Sequence, residues 1–317
     1  MNIYINLAFL ENLFLSDDDA DRKAYIIRML SSRRSAVKII TDVDIEAIYD
    51  DPDKKDSKIL IRQIVQNITN HSSDLSEACQ IYNFYESTET KAFFIDFISL
   101  LPSPEQFGCL LVSTASLEKA DFLFHSEVFS ILNTDTDWQR ILQTIKHPCN
   151  ALVMTDNYLF SEHDIYMENL KSICASLMPE TLDDNFKFDF TIIGFNPKKD
   201  VSPLEISYNM LAKYFKETYS YSVNLTIIRA DFHDRFIFTN YHLITSGQGF
   251  ALFKRNKLAP GKSTTIDCKP ITYEGRTSSV EHTRRMMLEK CIAINRSNSP
   301  ASGRMIGDGR NRLLVSD

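Results

Sequence analysis

The chain has 317 residues, a formal net charge of −7 at pH 7 and 44% hydrophobic residues. This length exceeds the usual size of one domain, so we expect two. No apolar run reaches the roughly 20 residues that a membrane helix needs, and the apolar start lacks the basic flank of a signal peptide. We therefore expect a cytoplasmic protein that does not interact with a membrane.

Charge is distributed unevenly along the chain. Residues 254–317 carry 13 Lys and Arg against 6 Asp and Glu, whereas the preceding residues carry 22 against 36. A basic tail of this kind suits nucleic acid or the acidic surface of a partner protein, and docking onto the acidic body of the same chain suits it equally well. The sequence has no glycine-rich nucleotide motif and no Cys-x-x-Cys pair, so we predict no cofactor and no metal site.

Strands and helices alternate in the first half of the chain. The hydrophobic pattern predicts strands that start at residue 2 and cover 36–42, 108–116 and 127–133, and helices at 20–34 and 56–72. Residues 1–148 are accordingly expected to form one α/β domain.

The second half has a βαβαββ order, which predicts a mixed sheet covered by helices. Strands are predicted at 151–160, 187–195 and 223–230, and helices at 169–178 and from Leu204 to Phe215. We assign residues 149–255 to a second α/β domain and 256–317 to a basic extension. In that extension, 281–294 favours a helix, and the segment ending at Leu314 is expected to return to the body or to a partner chain.

The most informative motif has the spacing H-x-R-x4-N-x6-G and consists of His233, Arg235, Asn240 and Gly247. Each residue type suits a phosphate. An imidazole can attack or hold it, a guanidinium can clamp two of its oxygens, an amide can orient a neighbour, and a glycine lets the backbone approach. Phosphodiester chemistry or phosphate recognition is therefore the leading hypothesis. The alternative is that His233, Asp234 and Arg235 merely begin a strand and satisfy one another.

This spacing resembles the H-x-K-x4-D-x6-G signature of the phospholipase D superfamily, with Arg235 in the lysine position and Asn240 in the aspartate position. The resemblance implies that His233 acts as nucleophile or acid, Arg235 as clamp and Asn240 as orienting group. No second copy of the motif occurs. The resemblance therefore implies a homodimer or larger assembly, in which two chains complete one site, or a site that binds without cutting.

The run from His233 to Lys254 is similar to the phospholipase D-like domain at the C-terminus of microtubule-interacting-and-trafficking proteins and of their bacterial relatives. That resemblance implies a bacterial nucleic-acid-directed effector or accessory protein of an anti-phage defence system, with partner proteins of a defence complex. Gly249, Lys254 and Arg255 are further candidate binding residues. The basic pair Lys198 and Lys199 follows a predicted strand, at the edge where α/β sheets commonly bind ligands.

The first half resembles a PIN-like nuclease domain in its order of strands and helices. The resemblance implies an acidic metal site, but Asn6 replaces its first aspartate, and Glu46, Asp96 and Asp121 match it loosely. Because an amide removes a charge from a site that must hold Mg²⁺ or Mn²⁺, an inactive or merely topologically similar scaffold is favoured. A metal-dependent nuclease remains the third hypothesis, after a phosphodiesterase and a non-catalytic binding module.

Overall fold

The computed structural model describes residues 1–15, 19–32, 37–71, 75, 82–97, 100, 102–132, 136–157, 163–194, 204–255, 257–273 and 280–315. The chain divides into two compact units. The first comprises Met1–His125 and Ile271–Glu281, and the second comprises Ser126–Pro270 and His282–Asp317. Both units are α/β, as the sequence predicts.

The first unit contains a five-stranded parallel sheet of order β3-β2-β1-β4-β5. The strands are β1 (Asn2–Ile5), β2 (Lys38–Thr41), β3 (Ile68–His71), β4 (Lys91–Phe94) and β5 (Leu110–Val112). Its helices are α1 (Leu7–Leu15), α2 (Ala20–Ser31), α3 (Ile45–Asp50), α4 (Lys55–Ile64) and α5 (Tyr82–Glu86), with a 3₁₀ segment at Thr114–Leu123. β1 and β4 are buried along their whole length, as strands of a parallel sheet covered on both faces should be.

Two elements of the first unit differ from the expectations. The helix predicted at 56–72 ends at Ile64, and Ile68–His71 forms β3, which pairs with β2. Ile68 and Thr69 are β-branched and favour a strand where a neighbouring strand is available. β4 was not predicted, although its register with β1 places it next to the centre of the sheet.

The second unit contains an eight-stranded mixed sheet of order β15-β9-β8-β7-β10-β11-β14-β6. Its strands are β6 (Glu127–Ile131), β7 (Ala151–Thr155), β8 (Lys187–Ile193), β9 (Ser222–Ile228), β10 (Phe236–Phe238), β11 (His242–Ser246), β14 (Thr264–Pro270) and β15 (Met305–Ile306). β7, β8 and β9 are parallel, and the other pairs are antiparallel. β12 (Phe253–Lys254) and β13 (Lys257–Leu258) form a separate hairpin.

The helices of the second unit are α6 (Trp138–Gln143), α7 (His163–Leu177), α8 (Leu204–Thr218) and nearly all of α9 (Val280–Ser297). β6, which we expected in the first domain, pairs with β14 in the second sheet. The segments 126–148 and 257–270 thus pack with the second unit, whereas our sequence-based division placed them outside it.

The last described residues return to the body of the second unit. β15 pairs with β9, and Asn311 donates from Nδ2 to the carbonyl of Leu152 at 2.9 Å. Arg312 reaches Asp189 in β8, with Nε 2.8 Å from Oδ2. This basic segment therefore docks onto its own unit, which was one of the two outcomes expected of it.

Within the described part of the chain, no helix is long and apolar enough to cross a membrane. The five cysteines that the structure describes are free thiols, and all are buried: Cys109, Cys149, Cys174, Cys268 and Cys291.

Candidate phosphate site at the carboxyl edge of the second sheet

Five strand ends of the second sheet meet along one edge. The parallel strands β7, β8 and β9 end there, and antiparallel pairing places the start of β10 and the end of β11 beside the end of β7. The register shows this directly, because Phe236 lies opposite both Thr155 and Thr245. We call this the carboxyl edge, the usual position of ligands in open α/β sheets.

His233 lies at this edge with its side chain 86% exposed, and its Nε2 is 3.4 Å from Oδ2 of Asp231. Asn157, which follows β7, holds this loop in place. Its Oδ1 accepts from the backbone N–H of Phe232 at 2.8 Å, and its Nδ2 donates to Asp231. The imidazole is therefore presented to solvent from an anchored backbone.

Arg235 lies at the same edge, one residue before β10. Its Nη1 donates to the carbonyl of Gly247 at 2.7 Å, which connects the start of β10 to the turn after β11. Thr155 fixes the backbone on either side, because its Oγ1 donates to the carbonyl of Asp234 at 2.9 Å and accepts from the N–H of Phe236 at 3.0 Å. The side chain of Arg235 is partly exposed at this edge.

Gly249 is required by the buried carboxylate of Asp156. Its φ is +89°, and a Cβ at this position would lie 2.5 Å from Oδ2 of Asp156. That same oxygen accepts from the backbone N–H of Phe250 at 2.8 Å. The side chain of Phe250 thus belongs to the core, while its backbone N–H satisfies a buried carboxyl oxygen.

Asn240 lies at the opposite edge of the sheet. It is 4% exposed, and its Oδ1 accepts from the N–H groups of Asn150 and Ala151 at 2.8 and 3.2 Å. Its Nδ2 donates to Oδ1 of Asn150 at 2.8 Å. Asn240 therefore anchors the start of β7, and the structure does not bring it together with His233 and Arg235.

The basic candidates fall in different places. Lys198 and Lys199 lie outside the described residues. Lys254 and Arg255 are exposed at the hairpin of β12 and β13, where the N–H of Arg255 donates to Glu168 of α7 at 2.8 Å. They therefore flank α7 and are not part of the strand ends that form the carboxyl edge.

Three cations at the carboxyl edge were missed by the sequence analysis. Arg229 directly follows β9, and its N–H donates to the carbonyl of Arg304 at 2.7 Å. Lys290 of α9 is 3.8 Å from Oδ2 of Asp234. Arg229 could have been found from its position after a predicted strand, whereas Arg304 and Lys290 depend on contacts between distant parts of the chain.

Two helix amino ends add positive potential to this edge. The 15-residue helices α7 and α8 follow β7 and β8, so each begins on the carboxyl side of the sheet. An N-terminal helix end carries about half a positive charge and unpaired N–H groups, which favour anions. The arrangement therefore combines an imidazole, a guanidinium and two helix dipoles.

The carboxylates at this edge have protein partners of their own. Asp156 is fully buried and accepts from Phe250, Asp231 accepts from Asn157, and Asp234 faces Lys290. These contacts reduce the repulsion that they would exert on an anionic ligand. Among the residues that the structure describes, no group of three or more His, Cys, Asp and Glu is arranged to hold a metal ion.

Of the residues proposed for a PIN-like site, all in the first unit, the structure brings Asn6 and Asp96 together, whereas Asp121 and Glu46 lie apart from this pair. Asn6 donates from Nδ2 to the backbone carbonyl of Asp96 at 2.7 Å, and Thr114 donates to both carboxylate oxygens of Asp96, at 2.8 and 2.6 Å. Asp121 forms a two-point ion pair with Arg22, at 2.7 and 2.9 Å. Glu46 is exposed in the first turn of α3.

Comparison with models of known protein families and with curated proteins finds no match to this chain.

Proposed function

We propose that the second unit binds a phosphate-bearing ligand at its carboxyl edge, with nucleic acid as the ligand class. The observation that supports this most directly is the joint position of His233 and Arg235 at the ends of the parallel strands. One side chain offers an exposed imidazole and the other a guanidinium fork, which is suited to two phosphate oxygens. Under this proposal the protein is a nucleic-acid-directed component of a bacterial defence system, as the resemblance implies.

Binding is favoured over cutting because of the position of Asn240. The motif residue expected to orient the histidine is buried at the opposite edge, where it anchors the start of β7. The imidazoles of His147 and His242 are also buried, and their rings stack near Asn240 and not near His233. A ligand at the carboxyl edge therefore contacts His233 and Arg235 but does not reach Asn240, His147 or His242.

Phosphodiesterase activity is the second candidate, favoured by the contact between His233 and Asp231. A carboxylate beside Nε2 can hold the ring in one orientation. In this reaction His233 forms a bond to phosphorus while the bond to the leaving oxygen breaks, and an imidazole from a second chain protonates that oxygen. Water then releases the phosphoryl group from His233.

The test follows retention and cleavage of labelled single- and double-stranded DNA and RNA in the same assay, with and without EDTA. The variants are His233→Ala, Arg235→Gln and Arg235→Lys, with Arg310→Gln as the matched control. Arg310 is 85% exposed in the same unit and belongs to the C-terminal segment. We expect Arg235→Gln to weaken binding about tenfold or more and Arg235→Lys to retain part of it, because lysine keeps the charge but loses the fork.

The outcomes separate the two candidates. Retention that falls in Arg235→Gln, with no cleavage by any variant, supports the binding function. Cleavage that persists in EDTA and disappears in His233→Ala supports the phosphodiesterase. Equal binding by Arg235→Gln and Arg310→Gln would contradict both candidates, provided that each variant melts at the wild-type temperature.

A further inference from the structure

A cavity of about 310 Å³ opens within the first unit, between α2, the 3₁₀ segment and residues 271–273. Its volume is near the lower end of the range of about 300–1,000 Å³ that is typical of small-molecule sites. Its lining combines aromatic, cationic and hydroxyl side chains: Tyr25, Arg28, Ser32, Phe124, Thr272 and Tyr273. None of the residues discussed above for a PIN-like site contributes to this lining.

Half of the residues that line the cavity come from one face of α2 and from Ser32, which directly follows it. Tyr25, Arg28, Met29 and Ser32 follow the helical spacing that places side chains on one side. Met29 and Leu123 are buried at the cavity and provide its apolar floor. A ligand that enters here therefore meets one apolar surface and a rim of polar groups.

The aromatic side chains provide a stacking surface. The rings of Tyr25 and Phe124 are 5.7 Å apart between centroids and only 17° from parallel. Tyr25 is 44% exposed, although it belongs to a helix whose neighbouring Ile26 is fully buried. Phe124 is half-buried beside Tyr25, and a nearly parallel ring pair with one exposed member favours a flat aromatic ligand, because every base offers a π-face to stack on.

Arg28 is the cation of the cavity. Among the described residues it has no recorded ion pair, in contrast to Arg22 of the same helix, which is bound on two points by Asp121. Arg28 is also not needed to cap the end of α2, because Asn67 donates to the carbonyls of Leu30 and Ser32 at 2.6 and 3.0 Å. The guanidinium is thus available to an anionic group of a ligand.

We infer that this cavity binds a nucleoside monophosphate, with the base against Tyr25 and Phe124 and the phosphate on Arg28. Hydroxyl groups of Ser32, Thr272 and Tyr273 line the cavity, and that of Thr272, which donates to the carbonyl of Leu123, can still accept a hydrogen bond. Such a lining suits the several hydrogen-bonding groups of a ribose, which a simple aromatic acid does not offer. This site lies in the first unit and does not depend on the function proposed for the second unit.

The experiment titrates the full chain with AMP, CMP, GMP and UMP by isothermal calorimetry, with the matching nucleosides and inorganic phosphate as separate arms. Arg28→Gln should weaken mononucleotide binding about tenfold or more, which is the effect expected on losing a charged hydrogen-bond donor. The same variant should leave nucleoside binding unchanged. Tyr25→Ala should weaken both nucleotides and nucleosides.

Two control variants test whether a loss of nucleotide binding is specific to the cavity. Arg62→Gln removes an exposed arginine that lies over Tyr49 in the same unit, outside the cavity, and should bind as wild type does. Arg235→Gln tests whether the nucleotides bind in the second unit instead. The inference is overturned if no mononucleotide binds, if inorganic phosphate binds as tightly as the mononucleotides, or if Arg235→Gln and not Arg28→Gln abolishes binding.

Discussion

The imidazole rings of His147 and His242 are stacked inside the second unit, with centroids 4.9 Å apart and planes 9° apart. Nδ1 of His147 lies 2.8 Å from the carbonyl of Pro148, which can only accept, so Nδ1 carries the proton. Nε2 therefore accepts from Oγ1 of Thr239 at 3.0 Å. Both nitrogens of the neutral ring are satisfied, and a second proton on His147 would break this arrangement.

Acid should destabilise the second unit through His147. Burial lowers its pKa from 6.5 to about 4, so the unfolded chain takes up the proton first as the pH falls. The stability contributed by the neutral ring is complete above pH 6.5 and is lost as the pH falls from 6.5 towards 4. The unfolding free energy should then fall by up to about 1.4 kcal/mol per pH unit.

His147→Gln should flatten this pH dependence, because glutamine does not titrate. Urea unfolding followed by fluorescence of Trp138, the only tryptophan of the chain and a buried residue of the second unit, measures the effect. His282→Gln removes an exposed imidazole of the same unit and serves as the control. A wild-type slope in His147→Gln would contradict this assignment.

Loss of the ion pair between Arg312 and Asp189 should strongly destabilise the second unit. Their side chains are only 9% and 10% exposed, and the guanidinium also covers the ring of Phe186 at 4.5 Å. Arg312→Leu leaves a buried carboxylate without its cation, which should cost about 3–5 kcal/mol of unfolding free energy. The Trp138 signal in urea again measures this change.

Arg310→Leu is the control for this substitution, because Arg310 is exposed and should change stability by no more than about 0.5 kcal/mol. Adding Asp189→Leu to Arg312→Leu should restore much of the loss, since no buried charge then remains unpaired. If the double variant is less stable than Arg312→Leu alone, the buried charge is not the cause of the loss.

Gly249→Ala should be more harmful than Gly261→Ala, although both glycines have positive φ angles of +89° and +74°. A Cβ at position 261 meets nothing within 4 Å, whereas one at position 249 collides with the carboxylate of Asp156. The backbone penalty common to both is about 1–2 kcal/mol, and crowding should add about 1–3 kcal/mol at Gly249 alone. Equal thermal unfolding temperatures for the two variants would show that Asp156 can move away without cost.

Asn6→Asp should destabilise the first unit, even though it restores the aspartate of the PIN-like pattern. The amide donates to the carbonyl of Asp96, and a carboxylate would place an acceptor against that acceptor. We expect a cost of about 1–3 kcal/mol, measured by hydrogen exchange of peptides from β1 and β4. Asp42→Asn is the control, because Oδ1 of Asp42 accepts from the N–H of Leu7 at 3.1 Å, a contact that an amide oxygen can also make.

The sequence predicted the three parallel strands of the second unit, in which most residues are apolar or β-branched. β7 and β8 are examples, since both are almost entirely buried in the parallel part of the sheet. It failed where pairing over long distances decides the outcome. β14, which supplies the neighbour of β6, was not predicted, so β6 was assigned to the wrong domain. β3 was hidden in a helical pattern that continues eight residues past the end of α4 at Ile64.

The motif was only partly informative about the candidate site. His233, Arg235, Gly247 and Gly249 come together because a short strand, a turn and a second strand return the chain to the same edge. Asn240 is separated from them because it lies in the turn between β10 and β11, at the other end of both strands. Arg304 could not be predicted, since its position depends on the pairing of β15 with β9.

The position of β15 has a consequence for folding. Among the described strands of the second sheet, β15 comes latest in the chain and forms one edge, while β6 comes earliest and forms the other. The first unit likewise includes Ile271–Glu281, which lies late in the chain. Both units therefore depend on contacts between distant segments, which slow folding. A nascent chain that has emerged only to residue 255 leaves the outer edge of β9 unpaired, and an unpaired strand edge favours aggregation.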